Sequence, residues 1–232
     1  MALGGDSGYP DHATTLSTYP ERDGLTNPHP PDRRNSMLAL EDYPYAPDLF
    51  HAYRHWLAQP GVERAAGGWR YLGRFYPDYL FVGGASFAIF REASRHCAGQ
   101  GIDVGAGLWP LPGATPVDLE RGPGRHRHVE DFAAGSVDYV FSSHCLEHIT
   151  EWAAALDLWI SRLNRGGVLF LYLPHPDCAI WHPGSAFVGD GHKWKPTPEI
   201  IRDAVTSRSG AIVAADDGPD AMQSFFICAR FP

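Results

Sequence analysis

Between Gly101 and Gly107 the chain reads Gly101-Ile102-Asp103-Val104-Gly105-Ala106-Gly107, a short apolar run carrying one carboxylate and ending in two glycines two positions apart. Such a run predicts a buried strand that leaves the sheet through a sharp turn. Glycine permits positive φ and lets a ligand approach the backbone amides, and a carboxylate at the strand end can accept hydrogen bonds from an ammonium group. By itself the segment also suits an ordinary strand-exit turn. What narrows the reading is Asp118, in Pro116-Val117-Asp118-Leu119 at the end of the next apolar segment. An acid at the tip of the second strand of a doubly wound sheet accepts hydrogen bonds from ribose hydroxyls, so the pair points to a nucleotide-like cofactor.

From Gly101 onward, short apolar runs punctuated by Gly and Pro alternate with helical periodicity, the texture of an α/β sheet. Strands are predicted over 101–104, 115–118, 126–129, 137–142, 167–173, 211–215 and 223–230. A long amphipathic helix is predicted over 145–164, with Gly166 and Gly167 as its C-cap. Thr197-Pro198-Glu199 reads as an N-cap followed by proline at the first helical position. The expected fold is a Rossmann-like doubly wound α/β sheet, mostly parallel with an antiparallel C-terminal strand, over residues 99–232.

Residues 1–34 are rich in Pro, Gly, Ser and Thr and read as a flexible arm, with a lid over the site as the alternative. Residues 35–98 read as a helical cap, with helices over 46–59 and 84–98. The aromatic stretch Trp69 to Tyr79 lies between these helices. Most of its rings are expected in the core, with Tyr76 and Tyr79 as candidates for an acceptor pocket.

At 232 residues, 44% apolar and 20% charged, the chain suits one sizeable soluble core. A net charge of -8 supplies no field for polyanions, which argues against nucleic acid or an anionic membrane and for a small-molecule partner. The basic cluster from Arg121 to His128 reads as a solvated turn. Cys97, Cys145, Cys178 and Cys228 are widely spaced with no CxxC, which predicts reduced thiols in a cytoplasmic protein. Neither a secretory leader nor a membrane-length apolar run is expected. Oligomeric state is not legible from the sequence.

These motifs, in this order, resemble the class I S-adenosylmethionine (SAM) dependent methyltransferases, particularly small-molecule members that include natural-product and sugar-modifying enzymes. The resemblance covers about Gly101 to Pro232. It implies that Asp103, Gly105 and Gly107 hold the methionine end of SAM and that Asp118, followed by Leu119, holds the ribose. Asp131-Phe132 resembles the stretch that flanks the adenine. Ser142-Ser143-His144-Cys145-Leu146-Glu147-His148 resembles the motif at the carboxyl end of the fourth strand, which adds Ser143 to the expected cofactor contacts. Leu163-Asn164-Arg165-Gly166-Gly167-Val168-Leu169 matches the turn into the fifth strand. One departure stands out: only 108–115 separate the glycine turn from the second strand, and Pro110 and Pro112 oppose a crossover helix there. The first crossover helix is expected to be lost or reduced to a turn.

Methyl transfer from a sulfonium needs alignment, exclusion of water and removal of a proton where the nucleophile carries one. The expected bases are His144, His148 and His192, since a neutral imidazole accepts a proton near pH 7. The i, i+3, i+4 spacing of His144, Glu147 and His148 also suits a divalent ion and resembles the Glu-x-x-Glu-His site of certain quinone-biosynthesis methyltransferases. The expectation is nonetheless no metal, with Glu147 and His148 capping the helix or steadying the cofactor loop. In the loop after the fifth strand stand His175, Asp177, His182, Asp190, His192, Lys193 and Trp194, from which His175, His192 and Trp194 are the expected acceptor contacts. Two rivals are kept. A SAM-binding scaffold without turnover would explain the short crossover, and a nicotinamide-dependent oxidoreductase would need a third glycine that the turn lacks.

Overall fold

The computed structural model describes residues 57–81, 84–107, 109–118 and 128–232. The predicted arm over 1–34 and the helix over 46–59, save its last three residues, lie outside the described residues, as does Leu119. A six-stranded sheet, in the order β5-β4-β6-β7-β9-β8, forms the centre. Its strands are β4 (Gly101–Val104), β5 (Thr115–Val117), β6 (Val137–Ser143), β7 (Leu163–Pro174), β8 (Ala211–Asp216) and β9 (Ser224–Arg230). Strands β5, β4, β6 and β7 run parallel, and β9 pairs antiparallel with both β7 and β8. This is the Rossmann-like arrangement expected from the sequence.

Alternation along the strands divides the sheet into two apolar layers. On one face Ile102, Val104, Val140, Leu169, Leu171 and Ile227 pack under α2 (Trp152–Arg162) and α3 (Pro198–Thr206). On the other, the larger rings of Tyr139, Phe141, Phe170 and Tyr172 meet Ile89, Phe90 and Ala93 of α1 (Ser86–His96). Helix α3 begins as its sequence predicts: Thr197 Oγ1 accepts from Ile200 N at 3.2 Å, and Pro198 needs no amide partner.

Three local expectations are corrected. The aromatic segment is an antiparallel meander of β1 (Val62–Ala65), β2 (Gly68–Tyr71) and β3 (Arg74–Pro77), not part of a helical cap. Its second turn is the two-residue Leu72-Gly73, with φ of 48° and 76°, the left-handed pair that matches strand twist. Arg64 closes the meander by bonding both carboxylate oxygens of buried Asp78, at 2.6 and 2.9 Å.

Over 126–129 no strand forms among the described residues: Val129–Asp131 is a 3-10 turn, in which the Asp131 carboxylate accepts from His128 N at 3.4 Å. Finally, the helix predicted over 145–164 is two elements, a 3-10 turn Leu146–His148 and α2, separated where Ile149 takes an extended conformation. Gly166 and Gly167 consequently do not cap a helix. They lie inside β7, where Gly166 (φ 83°) donates to Phe231 O at 2.9 Å and the pairing with β6 shifts register.

Candidate functional site

The carboxyl ends of β4, β5 and β6 gather the residues singled out in the sequence, as the open edge of a parallel sheet does. Among the described residues, the crossover from β4 to β5 contains turns and no helix. Asp103 lies at its base. It is 2% exposed, and its Oδ2 accepts from Leu111 N at 2.7 Å, which folds the shortened crossover back over the strand end. Gly105 (φ 75°) donates to Val117 O at 2.9 Å, and Gly107 (φ 49°) donates to Asp118 Oδ2 at 2.8 Å. The two predicted halves, the glycine turn and the strand-end acid, are therefore joined by a direct hydrogen bond.

The two glycines differ in what surrounds them. A Cβ on Gly107 would meet nothing within 4 Å, so that part of the turn borders open space. Gly105 packs against Cys145, the residue following the end of β6 and its successor His144. Ser143, half-buried, ends β6, and Phe132, half-buried, packs against the layer under α2.

Past β6 the chain reverses through His144, whose φ of 50° and bond from its amide to Tyr172 O at 2.9 Å fix the turn. The 3-10 turn that follows places Glu147 fully inside the protein, 0% exposed, with neither carboxylate oxygen hydrogen-bonded to another group. Three imidazoles surround it. His144 Nδ1 lies 3.6 Å from Glu147 Oε1, and the Nε2 atoms of His148 and His192 each lie 3.8 Å from that same oxygen. All three histidines expected as bases are thus brought to one carboxylate. His192 is the addition that spacing along the chain does not give, because it arrives from the loop after β7.

That loop is fastened onto the turn. Lys193 N donates to Glu147 O at 2.8 Å, Trp194 Nε1 donates to Leu146 O at 3.0 Å, and the Trp194 ring stacks on Trp152 at 4.5 Å. Of the other expected acceptor contacts, His175 is half-buried, its Nδ1 accepting from Asp177 N at 3.1 Å. Tyr76 is 0% exposed and stacks on Trp69 in the core. The backbone of Tyr79 lies in the single turn Asp78–Phe81.

Burial governs the charges. It depresses His144 to about 3, helped by the neighbouring His192 and His148, and His192 to about 4, helped by His148. It also holds His148 below the usual imidazole range and pushes the Glu147 carboxyl up to about 8. Near neutral pH the imidazoles are uncharged and keep a lone pair each.

A cleft of about 260 Å³ bordered by His96, Asp138, Asn164, Arg165 and Arg230 lies at the opposite, amino end of the parallel strands. Its position takes it away from the glycine turn and from Glu147, so concavity alone is a poor guide here.

Residues 113–171, from just before β5 into β7, match the methyltransferase-domain family model. The match spans the strand-end acid, β6 and the whole Leu146–His148 turn. Over that segment the chain is similar to the methyltransferase-domain family. Methyl transfer, with S-adenosylmethionine as the donor, is the activity that this match and the strand-end geometry support.

Among solved structures, an S-adenosylmethionine-dependent methyltransferase from Mesorhizobium loti superposes with a TM-score of 0.50 at 17% identity, over 64% of this chain and 98% of that one. The [4+2]-cyclase SpnF gives 0.50 at 11% identity, over 80% and 93%. At these identities both establish only the fold this chain shares. No curated protein sequence matches the chain. The residues fit the cofactor: Gly107 borders open space beside a carboxylate, as an adenosyl ribose requires. No described helix is long and apolar enough to cross a membrane.

Proposed function

We propose that this methyltransferase acts on an oxygen or nitrogen nucleophile of a small metabolite, of the natural-product or sugar-like kind. The observation that carries the reading is the group of uncharged imidazoles around Glu147, two residues after the Cys145 that packs against the glycine turn. A hydroxyl or protonated amine must lose its proton as the methyl arrives, and a neutral imidazole beside the cofactor turn is the group for that.

When bound, SAM supplies an activated methyl carbon on a neutral leaving group. The rest is work for the chain. Gly107 and Asp118 fix the ribose, Asp103 holds the short crossover in place, and His148, whose side chain is 46% exposed, is the member of the cluster that an acceptor reaches. Half-buried His175, in the loop after β7, is a further histidine that supports contact with the acceptor. The net charge of -8 supports a small molecule over nucleic acid, and four free cysteines support a cytoplasmic setting.

Calorimetric titration with SAM and with NADH, followed by a screen of hydroxyl and amine acceptors for S-adenosylhomocysteine release, tests this. Saturable SAM binding is expected, weakened about 10-fold or more in Asp118→Ala through loss of a charged hydrogen-bond acceptor. Turnover should fall about 100-fold in His148→Ala with SAM affinity kept. A folded protein that binds no SAM, or that transfers methyl equally well without His148, would overturn it.

A further inference from the structure

Three imidazole lone pairs converge on one buried carboxyl group, and the surrounding structure fixes the three nitrogens as acceptors. His148 Nδ1 lies 3.0 Å from Gly191 O, and His192 Nδ1 lies 2.7 Å from Trp181 O. A carbonyl only accepts, so each Nδ1 carries the proton and each Nε2 keeps its lone pair. On the third side, Ser224 Oγ gives its proton to Met222 O at 3.2 Å and so accepts from His144 Nε2 at 2.9 Å, which leaves His144 Nδ1 unprotonated. All three lone pairs face the Glu147 carboxylate, whose oxygens are buried and unpartnered.

As it stands this arrangement is unfavourable. The separations of 3.6 to 3.8 Å are too long for hydrogen bonds, and a shared proton would serve one pair while leaving the others opposed. A cation held at roughly 2.0–2.2 Å from nitrogen and oxygen would satisfy several of these atoms together.

The ligand atoms of Glu147, His148 and His192 all lie within 4.8 Å of one another, the span of a single coordination sphere. Imidazole histidines that pass their other ring proton to a backbone carbonyl are the usual outer support of metal ligands.

We propose that Glu147, His148 and His192 bind a divalent first-row transition ion, Zn2+ being the best match. Two imidazoles and one carboxylate are too nitrogen-rich for Mg2+ or Ca2+, which take oxygen shells. Three protein ligands leave a position open, and the 46% exposure of the His148 side chain marks the side from which it is reached. His144 Nδ1 stands next to the sphere, on Glu147 Oε1. Because Cys145 packs on Gly105, the ion sits beside the cofactor turn, where it would lower the proton affinity of an acceptor hydroxyl in place of a free imidazole. The site itself rests on none of the acceptor reading, since it is assayed without SAM or acceptor.

The test uses the full chain stripped with chelator and titrated calorimetrically with Zn2+, then with Co2+ as a spectroscopic probe. One Zn2+ per chain is expected, with visible Co2+ bands of low-symmetry coordination. Glu147→Gln and His192→Gln, each checked for folding by circular dichroism, should weaken Zn2+ by more than the ~10–100-fold typical of outer-shell losses. His96→Ala, at the far end of the sheet, should bind as the parent does. If Glu147→Gln fails to fold, the His192→Gln titration and the parent Co2+ spectrum still decide the matter. No saturable Zn2+, or Zn2+ binding that survives His192→Gln, would overturn the proposal. SAM titration of the same stripped protein separates this from failure of the methyltransferase reading.

Discussion

Gly105 lies so close to Cys145 that a Cβ on it would sit 2.5 Å from the cysteine Sγ and nearer still to its Cβ. The close approach lets the cofactor turn rest on the chain leaving β6, and so couples it to the residues that lead to Glu147. Gly107 has the same left-handed backbone but nothing within 4 Å of a Cβ. Substituting alanine at the two positions should therefore separate stability from binding. Gly105→Ala is expected to cost about 3 kcal/mol through overpacking added to left-handed strain. Gly107→Ala should cost only about 1 kcal/mol, yet weaken SAM by roughly 10-fold or more because its methyl enters the cofactor's space. Thermal unfolding and SAM calorimetry on both variants check this. Cys145→Gly in the Gly105→Ala background should return part of the lost stability, because it removes both close atoms.

The sheet was legible because its strands are buried on both faces and read as continuous apolar runs, as in Val168 to Leu173. The glycine turn and Asp118 were legible because few residue types permit such a turn. The break in the predicted helix was hidden, since Leu146, Ile149 and Trp152 keep helical spacing across a segment that is not helical. The meander was missed although Leu72-Gly73, a two-residue turn between Gly68–Tyr71 and Arg74–Pro77, is a hairpin signal. The place of His192 beside Glu147 had no sequence signal at all. It depends on the loop bonds from Lys193 and Trp194, which only the folded chain brings about.

Asp103 provides a test of whether the strand-end acid is scaffold as well as cofactor contact. Its carboxylate is 2% exposed and accepts from Leu111 N inside the crossover that lacks a helix. Asp103→Leu leaves that amide unsatisfied and should cost about 2–3 kcal/mol, whereas Asp103→Asn, which keeps an acceptor, should cost about 1 kcal/mol. Denaturant unfolding without SAM measures both. Equal stability of the parent and Asp103→Leu would mean that the crossover is held by something else.

Asp138 ties the start of β6 to its neighbours, accepting from Gln100 N at 2.7 Å and from Asn164 Nδ2. The Gln100 amide first, and then Asn164, hold its carboxyl below the ordinary carboxylate range. A depressed folded value means that the unfolded chain takes up the proton first as pH falls. The contribution is therefore present above the ordinary carboxylate range and disappears as pH drops through the folded value. Asp138→Asn should melt below the parent at pH 7, by a difference that holds to about pH 5 and shrinks below about pH 4. Thermal scans across that range give the answer.

Trp194 is the clamp that brings His192 to Glu147. Its ring stacks on Trp152 and its Nε1 donates to Leu146 O, so one side chain joins the loop after β7 to α2 and to the 3-10 turn. Trp194→Phe keeps much of the stacking area and loses the hydrogen bond, at a cost of about 1 kcal/mol. Trp194→Ala loses both, at about 2–3 kcal/mol, which for a chain of this size lowers the melting temperature by roughly 4–10 °C. Neither change touches the glycine turn, so SAM affinity should stay within a few fold of the parent. What should move is the position of His192: Zn2+ affinity is expected to fall in the order parent, Trp194→Phe, Trp194→Ala. If Zn2+ binds the alanine variant as tightly as the parent, the loop is held at Glu147 by its backbone bonds and the ring is only packing.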